Sequence, residues 1–196
     1  MKRLLLLNIF LLIGIGLYAQ TPDLNSYNQS RLQRQKTGMM VLGGWAVANI
    51  AGGLALRSGA EGSQKHFHTM NAAWNVVNLG IAGLGYFAAI KSDPASFDLY
   101  APIHEQHKLQ KILLFNAGLD LGYMAGGLYL MERSKNATKN VEQMKGFGRS
   151  IILQGAFLFV FDVANHIWHA SANPEIQQLL GAIQFSGDRV GLVLQF

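Results

Sequence analysis

The sequence contains no cysteine. That removes disulfide bonds, thiolate metal sites and the lipidated cysteine of a lipoprotein. It has only 4 prolines, so long helices can run with few breaks. Charge is scarce: 14% of residues are Asp, Glu, Lys or Arg, against 50% hydrophobic. A water-soluble domain averages about 25% charged residues, so the chain lacks the polar surface that water requires. Also missing are a phosphate-binding glycine loop, a nucleophile elbow and a His-Glu-x-x-His zinc helix. With them go the usual sequence grounds for an enzyme. The net charge of +5 raises nucleic acid as a partner, and that reading is rejected. No nucleic-acid motif accompanies the charge, and the basic residues sit at helix ends and in loops, where lipid headgroups are the expected neighbours.

What is present is glycine, 22 residues of it, and long apolar runs. Abundant glycine with little proline suits helices that approach each other closely in lipid. Lys2 and Arg3 precede an apolar core from Leu4 to Leu17, and the small Ala19 follows. This is the layout of a signal peptide over residues 1–19. A polar segment, residues 20–36, is expected to be exported. Four apolar segments follow, at Thr37–Leu56, Thr69–Ile90, Ile112–Met131 and Ser150–Ala172. At 1.5 Å per residue each can cross a hydrocarbon core of ~30 Å. The first two lack charge, the third carries only Asp120, and the fourth only Asp162 among fully charged types. A soluble helix of such length would show a charged face. Asp93-Pro94 and Pro102 are expected to break the chain between segments two and three.

The fold class predicted is all-α, a four-helix transmembrane bundle over residues 37–172. The tail, residues 173–196, is expected to end in a short β-hairpin, because Val190, Leu192, Leu194 and Phe196 alternate after the turn-like Ser186-Gly187-Asp188. Too few alternating segments exist for a β-barrel. Basic residues divide evenly between the two sides of the bundle, so the positive-inside rule leaves the orientation to the signal peptide.

Segments one and three echo each other. Gly44, Ala48 and Gly52 fall on Gly118, Gly122 and Gly126 at a constant offset, and Asn75–Asn78 similarly falls on Asp162–Asn165. A duplicated helical hairpin is the simplest account, with chance likeness between glycine-rich helices as the alternative. The small residues at every fourth position predict a flat stripe along which helices touch.

Asn75, Asn78, Asp120 and Asp162 lie near mid-depth and form the candidate ligand layer. Asn49, Asn116 and Asn165 also fall within the apolar spans. Intramembrane acids mark ion, proton or ligand sites by default. The plainer reading is interhelical hydrogen bonding that fixes register. Two His-x-x-His pairs, His104/His107 and His166/His169, are expected at the same membrane face. They could bind zinc, copper or iron, although such pairs also arise at interfaces without metal, and no cofactor is otherwise expected.

The stretch Tyr27-Asn28-x-x-Arg31, Lys36-x-Gly38-Met39 and Leu42-Gly43-x-Trp45-Ala46-x-x-Asn49 resembles an uncharacterised bacterial family of exported four-helix membrane proteins. The resemblance implies the same architecture and carries no activity. The leading expectation is therefore a non-enzymatic structural or interaction component of the cell envelope. Its partners would be the bilayer, a second copy or another envelope protein. The rivals are a metalloprotein built on the histidine pairs, and a small transporter or ligand binder built on Asp120 and Asp162.

Overall fold

The computed structural model describes residues 23–96, 100–181, 183–186 and 189–192. The expected signal peptide lies outside them. Four long helices dominate: α1 (Leu24–Arg57), α2 (Gly62–Lys91), α3 (Tyr100–Ser134) and α4 (Val141–Ala170). A short α5 (Asn173–Gly181) follows, then strands β1 (Ile183–Ser186) and β2 (Arg189–Leu192), which pair antiparallel.

Several boundaries are longer than the apolar runs suggested. The polar stretch before segment one forms the first turns of α1 from Leu24 onward. Pro102 does not stop α3 but sits buried in its first turn, where the missing N–H would have had no helical acceptor anyway. The break between α2 and α3 instead falls at Ser92–Asp93 and the 3₁₀ turn Pro94–Ser96. The Asn28 side chain donates to the Pro94 carbonyl at 3.1 Å and ties that turn to α1. At the opposite end, Gly62 enters α2 with φ +51°, a left-handed conformation that glycine adopts without penalty. The next N–H, that of Ser63, donates to Glu142 Oε2 at 2.9 Å. An acid at the start of α4 thus caps the start of α2, where unpaired N–H groups and the helix dipole favour negative charge.

α1 packs on α2, α2 on α4, and α4 on α3. The hairpin seams are close. A Cβ on Gly53 would meet the His68 carbonyl oxygen at 2.7 Å, and one on Gly127 would meet the Gly148 carbonyl oxygen at 2.7 Å. The two hairpins therefore use one device. Their contacts pair Ala72 with Ile152 rather than Asn75 with Asp162, so the echo of Asn75–Asn78 in Asp162–Asn165 is not an equivalence of position. The expected glycine stripe is also corrected. Gly44, Gly52, Gly118, Gly122 and Gly126 meet nothing within 4 Å. The close contacts fall one residue further along, because the rotation of each helix sets which glycine faces its neighbour.

Three helical stretches are long and apolar enough to cross a membrane: α1, α2 and the continuous Val141–Gln178 that joins α4 to α5. Three of the four expected spans meet that measure. α3 has the length, but Asn116, Asp120, Tyr123 and Tyr129 dilute its apolar character. Burial runs opposite to that of a soluble protein. Leu84 is 77% exposed, Phe115 68% and Val160 65%, while Asn75, Gln106, Ser150 and Gln154 are fully buried. The apolar core is thin. Leu42, Ala82 and Phe161 form one cluster, with Trp45 stacked on Phe157 at 3.9 Å; Tyr27, Ala172 and Ile176 form another.

Candidate functional site

Among the polar assemblies that the described residues form between the helices, two hold the polar residues predicted at mid-depth. The first joins α1, α2 and α4. Trp45 Nε1 donates to Gln154 Oε1 at 2.8 Å. Gln154 Nε2 in turn reaches Asn71 Oδ1 at 3.1 Å and Asn49 Oδ1 at 3.2 Å. Ser150 donates to the same Asn71 oxygen at 2.5 Å. Asn75 Nδ2 donates to the Asn71 carbonyl at 2.8 Å, and Asn78 Nδ2 donates to Asn75 Oδ1 at 3.2 Å. Both polar ends of the Gln154 amide are satisfied, as buried polar groups require. Of this network the sequence reading singled out Asn75 and Asn78 as ligand candidates and noted Asn49 and Trp45. It missed Gln154, Asn71 and Ser150.

The second assembly is the acid pair. Asp120 on α3 and Asp162 on α4 lie within side-chain hydrogen-bonding reach of each other. Helix geometry brings them together although their backbones are staggered. Gly155 abuts the Asp120 carbonyl, which puts Asp120 about two turns from Asp162 along the pair. Every side chain leans toward the N-terminus of its own helix. The helices are antiparallel, so the two carboxyls lean toward each other. A hydrogen bond between two carboxyl groups needs a proton on at least one of them. Both acids are buried, Asp120 to 2% exposure. Asp120 Oδ2 has no hydrogen-bond partner.

Both carboxyls line a cavity of about 650 Å³. It exists because consecutive helices α2 and α3 do not pack closely on each other. Its walls are largely apolar, and its other polar lining groups are Gln35, Asn78, Asn116, Trp74 and Tyr123. Trp74 and Tyr123 meet edge to face at 5.0 Å and bridge the gap at one end. Gln35 donates to the Gly85 carbonyl at 3.4 Å at the other. From Trp74 to Gly85 the cavity runs roughly 16 Å along α2. Val77, Ile81, Leu84, Ile112 and Leu119 line it and are exposed on the outer surface. The opening is therefore sideways, between α2 and α3.

The histidines do not converge. His104 and His107 are exposed on α3. His166 and His169 turn toward that helix but bind its glutamines: His166 Nδ1 meets the Gln110 carbonyl at 3.1 Å, and His169 Nδ1 meets Gln106 Oε1 at 3.3 Å. Gln106 Nε2 returns a bond to the His169 carbonyl. Gln106 and Gln110 are buried, whereas His104 and His107 are exposed. Among the described residues, no three His, Asp or Glu side chains come together as a metal ion would need.

The chain belongs to a family of unknown function, DUF6992, whose profile matches residues 41–163. The matched region holds both carboxyls and the whole Gln154 network, and it ends before His166 and His169. No curated protein and no solved structure matches the chain.

Proposed function

We propose that this DUF6992 member is an integral protein of the bacterial cell envelope that holds a small membrane-dissolved ligand in the cavity between α2 and α3. Residues 1–19 would serve as its export signal. α3 would complete the crossing as a fourth span, its polar face turned to α4 rather than to lipid. The inverted burial supports the membrane placement. An exposed surface studded with Leu, Ile, Val and Phe is costly in water and neutral in hydrocarbon.

The single observation that carries ligand binding is the contrast between the two polar assemblies. The Gln154 network is closed on itself, so it fixes register and needs no partner. The acid pair is open: both acids line a cavity, and Asp120 Oδ2 is buried without a hydrogen-bond partner. Buried charge without partners is strongly disfavoured, so an occupant that donates to Asp120 relieves the cost. The chemistry of the lining supports binding rather than catalysis, because no nucleophile–base couple or oxyanion donor set accompanies the carboxyls. Native mass spectrometry of protein released from lipid nanodiscs tests this. A small molecule should accompany the wild type and be lost from Ile112→Trp, which places an indole in the opening. Equal retention by both proteins would count against the cavity as the site.

The purely structural reading draws support from the Gln154 network, which welds α1, α2 and α4 together. On that reading the Asp120–Asp162 pair would serve as one more interhelical contact, between α3 and α4.

A further inference from the structure

Resting on that reading, we infer that the occupant is a cationic amphiphile, an ammonium group with a hydrocarbon chain. Three features converge on this class. The first is charge. Asp120 and Asp162 are the acidic side chains on the cavity wall, and among the described residues no cationic side chain lines it. An anionic headgroup would meet only repulsion there. A neutral alcohol could donate to a carboxylate but would leave its charge uncompensated in a low-dielectric site. An ammonium supplies donors and charge together, and a charge-assisted hydrogen bond is the stronger kind.

The second feature is the donor set. A bare alkali or alkaline-earth ion needs about six oxygen ligands at close range. The lining offers two carboxyls and the amides of Asn78, Asn116 and Gln35, spread through a cavity of about 650 Å³ that a single ion would leave largely empty. An organic cation fills it. The third feature is shape. The acid pair lies between the Trp74–Tyr123 end and the Gln35–Gly85 end. An apolar slot extends from it along α2 past Ile81 and Leu84, open to the side. A chain lying in that slot continues into lipid without crossing a polar surface. Trp74 and Tyr123 add aromatic faces to the same cavity, and such faces attract ammonium groups.

The test uses the full protein in phosphatidylcholine nanodiscs, with empty nanodiscs as the partition control. The probes are decylammonium, decanol and decanoate. Decylammonium should bind at about one per chain above the control. Its affinity should fall tenfold or more in the Asp120→Asn, Asp162→Asn double variant, while decanol binding stays unchanged. Helical circular dichroism of the variant confirms that the bundle persists. Should it be lost, Ile112→Trp provides the second arm, abolishing uptake of decylammonium without touching the acids. Decanol or decanoate binding as tightly as decylammonium, or a double variant indifferent to charge, would overturn the cationic assignment and leave the cavity reading standing. No binding of any probe beyond the empty nanodisc would overturn both.

Discussion

Gln154→Leu is the most informative single change. Leucine keeps nearly the same volume, so the packing of α4 against α1 and α2 is preserved. What disappears is the acceptor for Trp45 Nε1 and the donor shared by Asn71 and Asn49. An interhelical side-chain hydrogen bond in a membrane protein contributes about 0.6 kcal/mol on average and up to about 1.7 kcal/mol. Three such bonds sum to about 2 kcal/mol. Ser150 still donates to Asn71, so that oxygen is not orphaned, and the main residual cost falls on the Trp45 N–H. A loss of about 2 kcal/mol is a fall of about thirtyfold in the folded-to-unfolded ratio. Asp120→Asn provides the contrast. It is isosteric and its amide can donate to Asp162, leaving the unpaired position occupied by an uncharged carbonyl oxygen, so stability should change by less than about 0.5 kcal/mol. Equilibrium unfolding in mixed micelles, with Trp fluorescence as the readout, measures both. Gln154→Leu within about 0.5 kcal/mol of wild type would refute the division of the interior into a structural network and a binding site.

Further outcomes follow from the helix seams. Gly148→Leu should weaken the α3–α4 hairpin by at least 1–3 kcal/mol, because a Cβ there would meet the Gly127 carbonyl oxygen at 2.6 Å. Gly122→Leu, in open space, should be nearly neutral, and SDS-resistance of the two variants ranks them directly. Glu142→Ala removes the acceptor for Ser63 N–H and should cost about 1 kcal/mol. Its contact with Lys145 at 3.8 Å is exposed and adds little. Because the chain has no cysteine, single cysteines are clean reporters of topology. Ser58→Cys and Lys139→Cys should label from one side of the membrane and Lys91→Cys from the other. Labelling of Ser58→Cys and Lys139→Cys from opposite sides would contradict a four-span bundle.

The apolar runs made the four helices legible, since an uninterrupted run of that length has few other folds open to it. Asp120 and Asp162 were legible as a pair because each stands nearly alone in its run. Which glycines touch was not legible. A small residue recurs every fourth position on more than one face, and helix rotation is a tertiary property. Gln154 and Asn71 escaped notice for a related reason. An uncharged amide inside an apolar run carries no periodic signal, and its worth lies in partners more than 75 positions away. His166 and His169, three apart, share one face toward α3. The partner of that face, the Gln106/Gln110 edge of α3, lies in a stretch read as a loop.

The packing order α1–α2–α4–α3 leaves α2 and α3 unpaired, and on the proposed reading that gap would govern how a ligand meets the site. A mouth that opens onto hydrocarbon samples the bilayer rather than the water. The effective concentration is then set by partitioning before any contact with Asp120 is made. Each added methylene favours the lipid by about 0.8 kcal/mol, so two amines that fit the carboxyls equally well but differ by two methylenes should differ about tenfold in apparent aqueous affinity. On the proposed reading, discrimination among ligands would begin in the membrane, with the lipid as the first selector and the acid pair as the second.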